Sequence, residues 1–189
     1  MNSWKAFVFG CGMFMLPLVG RAADTQTTLS PQAAEALKLV DSDDLYQQEL
    51  GFLRLEALRE PASSASIRHY INDRRVEKRA WALRALAAIE GQTAIPVLVD
   101  KVRRDRQPRV RQAALLGLEP LQALDPEIMS VCLKALRDHS STVRMTAVDI
   151  VSRIDDPRAR AAILTRRQRE RDKDVQRVLR LAIARIETS

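Results

Sequence analysis

The sequence predicts an all-α fold: an α-solenoid of about four antiparallel helix pairs with an N-terminal helical cap. Segments beginning at Ile67, Val99, Cys132 and Leu164 align without gaps, at spacings of 32, 33 and 32 residues. A fixed period of this size indicates stacked repeats, in which no unit buries its apolar face alone. Only 4% of the residues are aromatic, and no segment shows the sustained alternation of a strand.

Each repeat contains two apolar patterns separated by an acidic residue. The acid lies six positions after the start of the segment, and it is Asp73, Asp105, Asp138 or Glu170. The second pattern then places an arginine beside an apolar residue in most units, at Arg79, Arg111 and Arg144, with Gln176 in the last. Two apolar patterns in one repeat predict two helices that bury a common face.

Proline and capping residues predict where the helices begin. Ser30-Pro31, Asp125-Pro126 and Asp156-Pro157 each place a capping side chain before a proline that suits the first helical position. Short connections favour antiparallel neighbours. The predicted pairs are 63–73 with 76–89, 93–104 with 108–119, 126–137 with 141–154, and 158–170 with 173–187. A short helix near 31–39 and a longer one near 43–59 precede them.

The first residues, 1–22, have the pattern of a secretory signal peptide. A cationic start is followed by Ala6–Gly20, an uncharged stretch of 15 residues, and then by small residues at Gly20 and Ala22. The stretch is short for a membrane-spanning helix. We therefore expect cleavage near Ala22, a periplasmic or secreted protein, and no stable transmembrane helix after cleavage. An uncleaved anchor, a lipid anchor at Cys11 and a cytosolic protein remain open alternatives.

Charge divides the rest of the chain into an acidic N-terminal helical cap, 23–60, and a basic repeat array, 61–189. The cap has eight acidic and three basic residues and is therefore negatively charged. The whole chain has a net charge of +7, so the basic residues are concentrated outside the cap. The end units of a solenoid need a solvated face, which the acidic residues would supply. Residues Tyr46, Leu50 and Leu53 recur at helical spacing with Ala57 and predict the apolar face of the cap. Whether 23–60 contains a degenerate repeat stays open.

The repeats resemble the HEAT-repeat family, in particular the short bacterial phycobilisome-lyase-like form. The resemblance covers about 63–189. It rests on an acid near the end of the first helix, followed six residues later by an arginine next to an apolar residue. The matching pairs are Asp73 with Arg79, Asp105 with Arg111, and Asp138 with Arg144.

These acids and arginines are expected to form a structural ladder. An acid in the turn between two helices accepts hydrogen bonds from backbone N–H groups at the next helix start. An arginine one turn into that helix reaches the acid of its own or an adjacent unit and joins the units by charge-assisted hydrogen bonds. We therefore assign them to stability and not to a binding site.

The sequence predicts no enzymatic activity, no metal site and no cofactor. Its two histidines, His69 and His139, lie far apart and have no cysteine or second histidine at metal-ligand spacing. The 6 glycines are scattered and form no phosphate-binding loop. Cys132 occupies a repeat position filled elsewhere by Ile67, Val99 and Leu164, which predicts a small core residue and not a reactive thiol.

The resemblance implies a partner-binding surface on the second helices, which line the concave face of HEAT arrays. Positions that differ between units on or beside that face are the candidate contacts: Trp81, Arg84, Gln112, Met145, Asp149, Arg177 and Arg180. Ala80, Leu116 and Leu181 are expected to face outward in the same rows. Trp81 is either an exposed hot spot or packed under the acidic cap, and the sequence leaves both open.

Together these observations predict an exported, non-enzymatic scaffold that binds another protein through the concave face of its second helices. The alternative is a basic HEAT-like protein that binds nucleic acid or an anionic polymer. A dense run of arginines between Arg158 and Lys173 is compatible with an acidic protein or an anionic envelope component as partner. Acidic residues interrupt that run, so it also fits a solvated helix face. Export argues against nucleic acid.

Overall fold

The computed structural model describes residues 28–121 and 125–188, and the predicted signal peptide, 1–22, lies outside them. The described residues form helices and contain no strand, which confirms the all-α solenoid. The helices are α1 Pro31–Val40, α2 Leu45–Leu58, α3 Ser64–Arg68, α4 Val76–Glu90, α5 Ile95–Arg104, α6 Pro108–Leu118, α7 Pro126–Ala135, α8 Ser141–Val151, α9 Pro157–Arg169 and α10 Lys173–Thr188. Successive second helices, α2, α4, α6, α8 and α10, pack on one another, and each of α5, α7 and α9 contacts its own second helix.

Side-chain caps are present at four helix starts, three of which the sequence predicts; the cap at Asp44 is additional. Ser30 Oγ accepts from the Ala33 N–H at 3.1 Å, and Asp44 Oδ1 accepts from the Gln47 N–H at 2.8 Å. Asp125 and Asp156 each accept from the backbone N–H two residues on, at 2.7 Å, ahead of Pro126 and Pro157. Each cap pairs a donor that the helix itself leaves unpaired, so these helices begin where the sequence places them.

The first helix of the first repeat is irregular, although the sequence predicts one helix over 63–73. It consists of a 3-10 turn at Pro61–Ser63, the five-residue α3, and a second 3-10 turn at His69–Asn72. The serines in this stretch are weak helix formers, because their hydroxyls compete for backbone groups. Ser63 Oγ donates to the carbonyl of Glu60 at 2.7 Å, which is one such bond.

Leucine, isoleucine, valine and alanine side chains form one continuous core along the stack. Val76–Arg104 is long and apolar enough to cross a membrane by length and composition alone, but half of its most apolar window is buried in this core. The chain also turns at Gly91, whose φ of 56° ends α4.

Cys132 is fully buried, and burial, with a smaller contribution from Glu119, raises the pKa of Cys132 to about 12. Its thiol is therefore neutral and inert at ordinary pH.

The acidic cap is a helix pair, α1 and α2, that adds to the stack without the Asp–Arg ladder. The two helices approach closely at Gly51, where a Cβ atom would lie 2.7 Å from both Ala36 O and Val40 N. On its other side, α2 packs against α4, and the rings of Phe52 and Trp81 lie 6.1 Å apart. Gly51 thus allows α1 and α2 to pack closely, and the rings of Phe52 and Trp81 join this helix pair to the repeats.

The predicted apolar face of α2 is wrong. Tyr46 and Leu53, which the periodicity placed in the core, are 73% and 42% exposed, and the buried α2 side chains are those of Gln48, Phe52 and Leu55. The glycine explains the difference: α1 requires a position without a side chain, and Gly51 sets which side of α2 faces inward.

Candidate functional site

Three arginines join the units at one edge of the stack. In each, Nη1 donates to the carbonyl of its own unit's acid, and Nε and Nη2 donate to the carboxylate of the next unit. The carbonyl distances are 2.8 Å for Arg79 to Asp73, 3.0 Å for Arg111 to Asp105 and 2.9 Å for Arg144 to Asp138. The carboxylate distances are 3.2 and 3.3 Å for Arg79 to Asp105, 2.8 and 2.6 Å for Arg111 to Asp138, and 2.9 and 3.1 Å for Arg144 to Glu170. We call these seven residues the ladder.

The ladder acids also cap the turn that follows each of them. Asp73 accepts from the Arg75 N–H at 2.7 Å, and Asp105 accepts from the Gln107 N–H at 2.9 Å. Asp138 accepts from the Ser140 N–H at 2.8 Å. Since each arginine bonds to its own unit's carbonyl and to the next unit's carboxylate, one side chain fixes both the turn and the stacking of two units.

Two ladder carboxylates have depressed pKa values. Burial opposes the ionisation of Glu170, but hydrogen bonds from Arg144, the Asp172 N–H and Arg166 outweigh burial and lower the pKa of Glu170 to about 2. Burial likewise opposes ionisation of Asp138, and Arg111 with the Ser140 N–H lowers its pKa nonetheless. Both side chains are therefore charged at neutral pH, and their contacts within the ladder account for the lowered pKa values.

The last ladder acid, Glu170, is a full member of the ladder despite its different residue type. Its side chain is only 2% exposed and accepts from Arg144, from Arg166, and from the backbone N–H groups of Arg171 and Asp172. Gln176 then donates to the carbonyl of Glu170 at 2.8 Å, as the arginines do in earlier units. A glutamine suffices there, because within the described residues no later carboxylate lies beyond α10.

The accessible side chains of the second helices form a separate surface, which we call the second-helix face. Its rows run through equivalent positions of α4, α6, α8 and α10: Ala80, Gln112, Met145 and Arg177, and then Arg84, Leu116, Asp149 and Leu181. Ala80 does not face outward as expected, because it is buried at 3% exposure. Leu116 and Leu181 are exposed, so the face combines apolar and charged side chains.

Polar side chains on this face connect one second helix to the next. Arg84 donates to Glu56 of α2 at 3.1 Å, and Gln112 donates to Thr146 of α8 at 3.0 Å. Asp149 accepts from Arg185 of α10 at 3.4 Å, and also from Arg153. These contacts differ in chemistry from unit to unit, in contrast to the ladder.

Trp81 lies under the acidic cap and not in an open groove. Its side chain is buried beside Phe52 of α2, and the Arg109 guanidinium lies 5.8 Å from the ring centroid. Such a cation–π contact at a partly exposed site contributes up to about 1 kcal/mol. Of the two interpretations that the sequence leaves open, the structure selects packing.

Arg180 lies at the end of the array and not among the rows of the second-helix face. Its equivalents in α4, α6 and α8 are Leu83, Leu115 and Val148, and all three are fully buried. In α10 the same position is exposed. Arg177 and Met145 remain on the second-helix face, where Arg177 is exposed and Met145 is half-buried against the core.

Sequence reasoning missed Arg59, which lies beside Arg84 in a surface pocket. The pocket has a volume of about 360 Å³ and is also lined by Glu56, Leu116 and Leu121. Arg59 closes α2 with φ of 52°, in the left-handed region that glycine or asparagine usually occupies. Because the residue type gave no signal of that conformation, only the structure could place it.

The histidines remain apart. His69 lies at the end of α3 and His139 in the turn before α8, and both are exposed. Across residues 28–121 and 125–188, no group of three or more His, Cys, Asp and Glu side chains is arranged to hold a metal ion.

Comparison with known proteins places the array among repeat proteins. Residues 96–184 match the family described as HEAT repeats. A phycobilisome maturation protein of Synechococcus elongatus is 43% identical over 58 residues, which are 31% of this chain. The match spans only 28% of the length of that relative.

Two solved structures share the fold. The complex of CpcE and CpcF of phycocyanin lyase from Nostoc sp. PCC7120 is 24% identical, with a TM-score of 0.63 over 79% of this chain and 96% of that one. A designed armadillo repeat protein in complex with the peptide (KR)4 is 15% identical, with a TM-score of 0.55 over 82% of this chain and 81% of the design. The family match covers residues 96–184, and the two structures show that the described residues share the fold of HEAT and armadillo solenoids.

Proposed function

We propose that this chain is an exported, non-enzymatic scaffold that binds another protein through its second-helix face, the concave side of the array. The observation that carries the proposal is the contrast between two surfaces of the same units. Ladder contacts repeat in each unit, whereas equivalent positions of the second-helix face carry Arg84, Leu116, Asp149 and Leu181. A surface that mixes exposed apolar and arginine side chains has the composition of a protein interface.

The comparisons support a protein as the partner class. The phycocyanin lyase structure is itself a complex of two proteins, and this chain overlays nearly all of the chain it matches. The designed armadillo repeat protein holds a peptide. We transfer to this chain only the use of a helical array to hold another polypeptide.

The non-enzymatic role rests on the placement of the chemically reactive residues. The two histidines are separate, Cys132 is buried with a raised pKa, and the perturbed carboxylates belong to the ladder. Export rests on the sequence of residues 1–22. Mass spectrometry of the purified protein tests it: a mature chain beginning just after Ala22 supports export, and an intact N-terminus rejects it.

Charge reversal on the second-helix face tests the binding surface. Arg84→Glu and Arg177→Glu together should abolish capture of a specific partner identified with the wild-type protein, because both side chains lie on that face. Arg106→Glu is the matched control, since Arg106 is an exposed arginine in the turn between α5 and α6. A partner that binds the double variant as well as the wild type would reject the assignment of this face.

A second candidate, binding of an anionic polymer, is favoured by the basic C-terminal unit. Arg167, Arg169, Arg171 and Lys173 are exposed, and none has an ion-pair partner within residues 28–121 and 125–188. Binding of this kind falls steeply with salt, because it releases condensed counterions. A salt-sensitive shift of labelled duplex DNA, together with an uncleaved N-terminus in cells, would support this candidate over the scaffold.

A further inference from the structure

We propose that copies of this chain associate end to end, with the C-terminal unit of one copy docked on the free side of α1 and α2 of the next. The proposal concerns the two ends of the array and is independent of the second-helix face. It commits to a second copy as the occupant, because the two ends of this chain are complementary in charge and both expose apolar side chains.

Exposed large apolar side chains concentrate at the two ends. In the part of the chain that the structure describes, they are Leu45, Tyr46, Leu53, Leu58, Leu116, Leu164 and Leu181. Leu116 and Leu181 belong to the second-helix face, and the other five lie on α2 or α9. A solenoid end that only needs to be soluble would carry polar side chains there, so the leucines indicate surfaces that become covered.

At the C-terminal end, α9 and α10 expose positions that are buried in the earlier units. Leu164 is 50% exposed, whereas its equivalents Ile67, Val99 and Cys132 are 0%, 3% and 0% exposed. Arg160 is likewise exposed, and its equivalents Ser63, Ile95 and Ile128 are buried. Arg180 is also exposed, although the equivalent residues of α4, α6 and α8 are buried. These positions are buried where another unit follows in the stack, so they mark the side on which a further unit would dock.

At the N-terminal end, α1 and α2 form a shallow groove to which the exposed side of α9 and α10 from another copy docks. Its volume is about 530 Å³, and it is lined by Pro31, Gln32, Glu35, Arg54, Ala57 and Leu58. The groove lies on the helix pair that begins the described stack, whose other side packs on α4. It is therefore the place where a preceding unit would lie.

The ends carry opposite charge. Residues 28–60 have seven acidic and three basic side chains, a net charge of −4, and residues 155–188 have ten basic and six acidic ones, a net charge of +4. Docking Leu164 and the surrounding arginines against the acidic pair would continue the stack from one copy into the next. Because the two surfaces differ, the contact is heterologous and generates an open row of copies unless the rotation between copies closes a ring.

Sedimentation of the purified protein, produced from the full chain and processed by the cell, tests the proposal. The weight-average mass should rise with protein concentration at low salt and fall back toward the monomer at high salt. Leu164→Glu blocks one end and Leu58→Glu blocks the other, so each variant alone should remain monomeric. Mixed together they should form a one-to-one complex of twice the monomer mass, because each supplies the intact end that the other lacks.

Leu116→Glu is the matched control, an exposed leucine changed in the middle of the array, and it should associate as the wild type does. Circular dichroism and thermal unfolding establish that each variant folds. A wild-type protein that stays monomeric at about 1 mM would overturn the proposal, since even weak contacts form at that concentration. Loss of association in Leu116→Glu, or no complex in the mixture, would overturn it as well.

Discussion

The ladder edge and the second-helix face belong to the same helices, yet they obey opposite rules. At the ladder edge, Arg79, Arg111 and Arg144 make the same set of bonds in three consecutive junctions. On the second-helix face, the contact between neighbouring helices is an ion pair at Arg84, a neutral hydrogen bond at Gln112, and a carboxylate that accepts from two arginines at Asp149. The repeated ladder bonds hold the units together. The second-helix face differs from unit to unit, so it can be specific for a partner.

Strong acid should destabilise the ladder, and this is the largest effect on stability that we expect. The pKa of Glu170 is about 2 in the folded protein, below its unfolded value of 4.5. The stabilisation is thus present above pH 4.5 and is lost as the pH falls from 4.5 toward 2. A shift of this size corresponds to about 3 kcal/mol. Urea unfolding at several pH values measures it.

Glu170→Gln is the control for the acid effect, because it keeps the shape of the side chain and removes the titrating group. Its stability should be lower than wild type at neutral pH and should change less between pH 4.5 and 2. An equally steep loss in the variant would show that other carboxylates cause the acid sensitivity.

Removing one ladder arginine should be the next largest effect. In Arg111→Met the carboxylate of Asp138 loses contacts of 2.6 and 2.8 Å, and both partners are only 13% exposed. We expect a loss of about 2 kcal/mol in the free energy of unfolding, since a poorly solvated charge is left without its partner. Arg103→Met, which removes a more exposed pair with Glu127 at 2.8 Å, should cost less than about 1 kcal/mol. Equal losses would contradict the special place of the ladder.

A hydrogen bond on the second-helix face should contribute less. Thr146→Val removes the acceptor of the 3.0 Å bond from Gln112 and keeps the volume of the side chain. The expected loss is about 1 kcal/mol or less, because the bond is neutral and partly solvated. Thermal unfolding measures it, and Thr165→Val on the exposed side of α9 is the comparison. A loss as large as that of Arg111→Met would remove the energetic distinction between the two surfaces.

The smallest effect on stability should come from Arg177, the exposed arginine of α10. Arg177→Glu should change the free energy of unfolding by no more than about 0.5 kcal/mol, as exposed substitutions usually do. Titration calorimetry with a purified partner should nevertheless show weakened binding. A large stability loss in this variant would mean that the side chain belongs to the stack.

The sequence predicts the helix pairs well because their signals are local. A capping aspartate before a proline defines a helix start regardless of what the helix packs on, and Asp125 and Asp156 do so here. The ladder positions were predictable for a related reason. Their acid and arginine recur at constant spacing, so each unit is a further instance of one pattern.

Errors arise where a residue depends on its neighbours in space. The apolar periodicity of α2 was real, but Gly51 and the close approach of α1 decided which side faces inward. For Trp81 the sequence left an exposed hot spot and a packed residue both open, and the side chain is buried because α2 covers it. The residues equivalent to Arg180 in the earlier units are buried, whereas Arg180 is exposed because it lies at the end of the described stack.

By itself, the sequence determined the repeat period, the capped helix starts and the residues of the ladder, because these follow from local propensity and from a pattern repeated within each unit. Only the tertiary structure decided which side chains remain accessible. Accessibility depends on which unit follows in the stack, so Ile67, Val99 and Cys132 are buried, whereas the equivalent Leu164 of the last described unit is exposed.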